Sequence, residues 1–216
     1  MERLICLIIG YVCGNFQTAY LVGKLNGIDI REHGSGNAGT TNTLRVLGRK
    51  AGFIVFIGDV LKCAVAIGVS RLIFAERNVD IIYILTLYAA LGTILGHNYP
   101  VLLGFRGGKG MACTAGLVFF YHPWLLIACL TTFLVIFFTT HYVSLGSVAV
   151  YGVFVAVMAV LSFNGLLGAL NGLQIVELMV VSLFMAIMAV VRHWANMKRL
   201  IAGTESKTYL SKKNKK

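Results

Sequence analysis

The chain has 216 residues, of which 58% are hydrophobic and 12% charged, and a formal net charge of +11. Soluble domains run at about 45–50% apolar and about 25% charged residues, so this balance excludes an ordinary soluble fold and predicts one polytopic, all-α membrane domain. The charge does not point to nucleic acid: eight of the nineteen Lys and Arg fall from Arg192 onward and most others flank hydrophobic segments, as the positive-inside rule requires.

A membrane-spanning helix needs about 20 apolar residues. Leu4–Leu25 is the first to qualify. It follows only Glu2 and Arg3 and carries no small-residue cleavage site, so it is read as a retained transmembrane helix, not a signal peptide. Next comes "HGSGNAGTTN", His33–Asn42, which holds no large aliphatic residue. Gly34, Ser35, Gly36, Asn37 and Gly39 allow a backbone to approach a ligand closely, and a helix is predicted through Thr41–Leu47. Glycine nests and helix N-termini attract phosphate through unsatisfied N–H groups. Arg45, one turn along, could clamp the same anion with two parallel hydrogen bonds. On composition alone a flexible loop explains the stretch equally well.

Phe53–Phe74 is the second span. Asp59 and Lys62 lie within it three residues apart, a spacing that suits a structural ion pair supporting the bundle. Ile81–Leu95 is the third span and leads into "GHNYPVLLGFRGGKG", Gly96–Gly110. A Walker A loop ending at Lys109 would need glycine at position 103 and Ser or Thr at position 110; Leu103 and Gly110 stand there, so this is not a P-loop. Still, Gly107, Gly108 and Gly110 surround Lys109 without side-chain bulk, a setting better matched to a phosphate than to packing.

Met111–Tyr121 is short for a span and ends at His122-Pro123. It either crosses alone or merges with Trp124–Phe138 through a proline kink. The remaining spans are Leu145–Phe163, preceded by "HYVSLGS" with Ser144 and Ser147, and Ile175–Val191. The latter runs into "VRHWANMKRLIAGTE", where Arg192, His193, Asn196 and Arg199 share one helix face. Seven separate spans place the N-terminus outside and leave fifteen of the nineteen basic residues in cytoplasmic regions, whereas merging would export the basic C-terminus. Seven are therefore predicted, with the short helix packed inside the bundle. Residues 1–205 form a single domain, and 206–216 a disordered basic cytoplasmic tail near anionic headgroups. The five cysteines lie in apolar stretches without C-x-x-C spacing and read as small buried hydrophobes; no metal or cofactor is expected.

The segments "GSGNAGTTN", "GHNYPVLLGFRGGKG" and "RHWANMKRLIAGTE" resemble, in order, spacing and membrane side, the three signature segments of the bacterial acyl-phosphate:glycerol-3-phosphate acyltransferase family, the PlsY type. "DVLK" and "YVSLGS" are also similar. The resemblance implies a plasma-membrane enzyme with its site on the cytoplasmic side, active on acyl phosphate and glycerol 3-phosphate, giving lysophosphatidic acid and phosphate. It implies catalytic roles for Ser35, Arg45, Lys109, His193 and Asn196. Substrate binding would extend to Gly34, Gly36, Asn37, Gly39, Asn42, Gly107, Gly108, Gly110, Ser144, Arg192, Arg199 and Glu205. The phosphate of acyl phosphate would rest on the Gly34–Asn37 nest, and Arg45, Lys109, Ser144, His193 and Asn196 would hold glycerol 3-phosphate. Thr40, Cys113 and His141 depart from the family's usual residues beside these positions. The H-x-x-x-x-D pair of other glycerol-phosphate acyltransferases is absent, since the residues at +5 from the five histidines are Ala38, Leu102, Ile127, Gly146 and Lys198. With no protein base apparent, the departing phosphate is expected to take the hydroxyl proton. The competing class is a transporter or channel for a phosphate-bearing solute.

Overall fold

The structure, a computed structural model, describes residues 1–209; of the basic tail, residues 210–216 lie outside the described residues. The described residues form nine α-helices joined by loops and three short 3₁₀ turns, with no β-strand. These are α1 (Glu2–Gly14), α2 (Thr18–Leu25), α3 (Thr40–Leu47), α4 (Arg49–Phe74), α5 (Ile82–Asn98), α6 (Met111–Tyr121), α7 (Pro123–Thr140), α8 (Val143–Phe163) and α9 (Gly172–Ile201). Six helical segments are long and apolar enough to cross a membrane, with α1 and α2 together making the first; α6, at 11 residues, is shorter. Large apolar side chains such as Phe53, Leu72, Phe138 and Leu173 project outward, as they do where lipid replaces water.

The predicted first span is interrupted. Between α1 and α2 the chain leaves the helix at Asn15–Gln17, immediately after the crossing with α5. Gly10 and Gly14 of α1 meet Gly92 and Gly96 of α5 backbone to backbone, so a Cβ at any of the four would run into the opposite main chain. Two small-xxx-small patterns thus seat the helices in contact. The carbonyls freed at the break find internal donors, as the interior of a bilayer demands. Gln17 Nε2 donates to Gly14 O at 3.0 Å, and Lys62 Nζ to Phe16 O at 2.8 Å. Asn15 Oδ1 accepts from the Val101 N–H at 2.9 Å, tying the break to the loop after α5.

Helices α6 and α7 are separate, not one kinked helix. His122 is extended (φ −155°, ψ 138°), and Pro123 opens α7 where its missing N–H costs nothing. Cys113, Thr114, Gly116, Leu117, Val118 and Tyr121 of α6 are buried, and Gly116 lies close against the Val60 carbonyl of α4. The last helix begins three residues before its predicted apolar run because Asn171 and Gln174 form a reciprocal capping box. It also continues ten residues beyond Val191. His193, Asn196 and Arg199 therefore sit on a rigid helix, at the same end of the bundle as α3 and the starts of α6 and α8.

Candidate active site

The first polar loop is built around Asn42. Its Oδ1 accepts from the Ser35 N–H at 2.8 Å, and its Nδ2 donates to Ile30 O at 3.1 Å and His33 O at 2.9 Å. Gly34 and Gly36 take left-handed φ angles of 62° and 70°, which L side chains adopt only with strain. The expected outward nest of N–H groups differs from what forms. The N–H of Ser35 goes to Asn42, that of Gly36 to His33 O and that of Gly39 to Asn37 O. A buried amide demands partners, so Asn42 draws the Ser35 N–H inward, while Gly36 and Gly39 donate to carbonyls of the loop itself. What faces the cavity is the Ser35 and Asn37 residues and the opening turn of α3, whose first amides lack intrahelical acceptors.

The second loop is anchored by His97 and Arg192. The Gly108 N–H donates to His97 O at 3.1 Å, and Arg192 donates to Gly107 O at 3.3 Å and to Gly108 O while lying 5.1 Å from the Tyr99 ring centre. A Cβ at Gly107 would strike the His97 carbonyl, and one at Gly108 the His97 ring. Gly110, at φ 78°, caps α6. The glycines are thus explained by packing and turn geometry, and the loop presents Lys109, whose Nζ donates to Asn196 Oδ1.

The third element comes from α9 and the strap after it. Glu205 is buried and gathers Ser144 Oγ (2.8 Å), Asn196 Nδ2 (2.6 Å) and Arg199 Nε (2.7 Å). Arg45 donates to Ser206 O at 3.0 Å and Thr208 Oγ1 at 2.9 Å, and the Thr208 N–H to His141 O at 2.9 Å. Residues 206–209, assigned from sequence to the tail, therefore close over the site. His193 Nδ1 lies 2.8 Å from the Ala189 carbonyl. A carbonyl only accepts, so Nδ1 carries a proton and, in the neutral ring, Nε2 is left as an acceptor.

These parts enclose a polar cavity of about 100 Å³ lined by Ser35, Arg45, Lys109, Ser144, His193 and Asn196 among others. It adjoins a wider basin of about 780 Å³, where Gly34, Gly36, Gly107 and Arg192 contribute. On its other side lies an apolar groove of about 290 Å³ between α6, α7 and α8, sharing Thr40, Thr41, Met111, Ala112, Val143 and Ser147 with the polar cavity. Of the residues proposed from sequence, Gly108 lines none of the three and acts as support. Asn42 and Arg192 line them but have their hydrogen bonds directed into the loops.

Burial holds Lys109 down at about 8, with Arg199, Arg192 and Arg45 adding and Glu205 opposing. Burial likewise lowers Arg45. Burial alone would raise Glu205, but its hydrogen bonds from Asn196, Arg199 and Ser144 outweigh that and keep it below the usual carboxylate range. Lys109 therefore stays largely charged at neutral pH close to the ionised Glu205 carboxylate.

Asp59 and His97 also line the cavity, from α4 and α5; from sequence Asp59 was read as half of a structural ion pair with Lys62, and His97 stood in the second polar segment without an assigned role. Lys62 Nζ lies 2.9 Å from Asp59 Oδ1 and 2.9 Å from His97 Nδ1. Asp59, His97 and Cys113 bring possible metal-ligand atoms within 4.8 Å of one another, but the ammonium already bridges the first two.

The family model for glycerol-3-phosphate acyltransferase matches residues 4–203. A glycerol-3-phosphate acyltransferase of Clostridioides difficile (strain 630) is 41% identical over 206 residues, 94% of each chain. One of Bacillus cytotoxicus is 42% identical over 210 residues, covering 97% of this chain and 96% of the relative. The fold is similar to the crystal structure of PlsY, an integral membrane glycerol 3-phosphate acyltransferase, in its glycerol 3-phosphate form. The TM-score is 0.81 at 30% identity, covering 97% of this chain and 96% of that one. Against the lysophosphatidic acid form the TM-score is 0.78.

Proposed function

The chain belongs to the glycerol-3-phosphate acyltransferase family, and on that premise we propose how its own residues divide the work. It is a multi-pass membrane enzyme of phospholipid synthesis that transfers a fatty acyl group from acyl phosphate to the 1-hydroxyl of glycerol 3-phosphate. The products are 1-acyl-glycerol 3-phosphate and phosphate. In the proposed site, both phosphates bind in the polar cavity and its basin and the acyl chain lies in the adjoining apolar groove. The observation that carries this reading is that one cavity gathers Ser35, Arg45, Lys109, His193 and Asn196 and opens directly onto a groove of apolar side chains.

Acyl phosphate is a mixed anhydride and already carries a good leaving group, so no acyl-enzyme intermediate is required. The protein must hold two anions in register away from water and stabilise the oxyanion that develops. Lys109, on a loop without side-chain bulk, supplies the charge for both substrates and for the reacting carbonyl. Ser35 and the opening turn of α3 hold the donor phosphate. Arg45, Ser144, Asn196 and His193 hold glycerol 3-phosphate, with Glu205 and Arg199 fixing their orientation. The departing phosphate takes the hydroxyl proton.

The proposed topology is seven crossings with α6 as the short one, the N-terminus outside and the site on the cytoplasmic side. It is supported by the fifteen basic residues it assigns to that side and by Arg3 pairing with Glu177 near the opposite helix ends. The single domain would run through the strap to residue 209, since Ser206 and Thr208 are tied to Arg45 and His141, with the basic tail beyond. A transporter is disfavoured because Cys63, Ile94, Cys113 and Leu117 close the interior beside Asp59 and His97 with apolar packing. The test is purified protein in detergent, given palmitoyl phosphate and labelled glycerol 3-phosphate. Lysophosphatidate should form without any vesicle; uptake into proteoliposomes without product would overturn the reading.

A further inference from the structure

The strap after α9 is held at both ends without help from Arg45. At one end Glu205 is buried and accepts from Ser144, Asn196 and Arg199. At the other, the Thr208 N–H donates to His141 O at 2.9 Å, and the Tyr209 ring centre lies 4.8 Å from that of His141. Between these anchors the strap takes hold of Arg45. Ser206 O and Thr208 Oγ1 both accept from Arg45 Nη2, at 3.0 Å and 2.9 Å, and the Thr208 side chain is buried. Nη2 is the one nitrogen of that guanidinium with a hydrogen bond among the described residues.

A guanidinium clamps an anion through two parallel N–H bonds on two faces only, Nε with Nη2 and Nη1 with Nη2. Each face needs one of the two Nη2 hydrogens. The strap holds both, so Arg45 in this arrangement has no two-point contact to offer a phosphate. Resting on the reading above, in which Arg45 grips glycerol 3-phosphate, we infer that the strap competes with the acceptor's phosphate for Arg45, and that Thr208 thereby sets the affinity for phosphate-bearing ligands. A phosphate arriving through the basin, which Arg45 and Ser206 both line, displaces the hydroxyl or the carbonyl from Nη2. It does so because a hydrogen bond between two charged groups is stronger than one to a neutral oxygen. After transfer the strap reclaims Nη2 and so favours release of lysophosphatidic acid, which carries the same phosphate.

The test measures KM and equilibrium Kd for glycerol 3-phosphate, and inhibition by lysophosphatidic acid, in Thr208→Val, Thr208→Ala and Thr208→Ser. Val keeps the shape of the side chain and the N–H bond to His141, and frees one Nη2 hydrogen. Loss of one competing hydrogen bond should lower KM and Kd for glycerol 3-phosphate about two- to tenfold, with KM for acyl phosphate unchanged. Lysophosphatidic acid should inhibit at correspondingly lower concentration. Ala should do the same even if Val disturbs the packing, and Ser, which restores the acceptor, should return the constants to wild type. A role in orienting Arg45 predicts the opposite sign, so a raised KM for glycerol 3-phosphate overturns the inference, as does an unchanged one in Val and Ala alike. In an Arg45→Ala background Thr208→Val should have no further effect; a fall in KM there places its action elsewhere and also overturns the inference. Arg45→Ala alone separates this from the underlying reading. If it leaves KM for glycerol 3-phosphate unchanged, Arg45 does not hold the acceptor and the competition falls with that reading. If it raises KM while neither Thr208→Val nor Thr208→Ala lowers it, only the competition fails.

Discussion

Two groups of charge meet around the polar cavity, and they differ in burial and in balance. Asp59, Lys62 and His97 are 1%, 6% and 3% exposed and form a closed set. The Lys62 ammonium is bonded to Asp59, His97 and Phe16 O, and Asp59 accepts from Thr18 Oγ1 at 3.1 Å. Above them, Arg45, Lys109, Arg192 and Arg199 surround one carboxylate, Glu205. The first set neutralises itself and fixes the break between α1 and α2 against α4 and α5. The second keeps a positive surplus that only added anions can neutralise. The more deeply buried set is the balanced one, so depth of burial does not mark the substrate site; a surplus of one sign does.

Breaking the closed set should have the largest effect, and on stability. Lys62→Met leaves the Asp59 carboxylate buried without its partner, which should cost about 3–5 kcal/mol and show as a large drop in the detergent melting temperature. Asp59→Leu combined with Lys62→Met should recover most of that loss. If the double variant is as stable as wild type yet inactive, the closed set is itself part of the chemistry and the contrast between the two groups fails.

Within the surplus set, Lys109→Ala should leave the melting temperature within a degree or so of wild type and lower kcat by about 10²–10³, the effect of losing one donor to a developing oxyanion. Retention of a third of the wild-type rate would rule out that role. Arg45→Ala should act on the acceptor. Each charge-assisted hydrogen bond is worth about 1.5–3 kcal/mol, so KM for glycerol 3-phosphate should rise about 10- to 150-fold, while the residual rate with glycerol scarcely changes. Arg45→Lys should rescue only in part, because an ammonium lacks the planar two-point contact. Saturation of Arg45→Ala at wild-type glycerol 3-phosphate concentration would make Arg45 a tie for the strap at Ser206 and Thr208 and nothing more.

The pH dependence sharpens the same contrast more gently. Lys109 in the empty site sits at about 8, so its ammonium is present below that pH and is lost as pH rises through it. kcat/KM should bend downward above about 8, and kcat at higher pH, because bound phosphate favours the ammonium. Lys109→Arg should be slower but free of this alkaline limb; an identical limb in that variant assigns the titration elsewhere. Ser35→Ala is the mildest change. Loss of one neutral donor, worth about 0.5–1.5 kcal/mol, should raise KM for acyl phosphate about two- to tenfold; unchanged constants would leave recognition to the opening amides of α3.

By itself the sequence determined the membrane class, the positions of the long apolar helices and the three polar segments. Runs of apolar residues, glycine loops and a one-sided excess of Lys and Arg are local or additive signals. The same holds for the separation of α6 from α7, which the charge distribution indicated where Pro123 alone left a kinked helix open. Only tertiary structure decided what these segments do to one another. Gly10 and Gly14 press onto Gly92 and Gly96 just before the break at Asn15–Gln17, a contact between segments about 80 residues apart in the chain, and Gln17 and Lys62 supply the donors that the break needs. Asn42 drew the Ser35 N–H inward because an amide shielded from water must find partners, its Nδ2 meeting the Ile30 and His33 carbonyls. His97 and Asp59 came to the cavity because two spans, not one motif, bring them there. Hydrophobicity and charge are read residue by residue, but hydrogen-bond satisfaction and close packing depend on which groups folding places side by side.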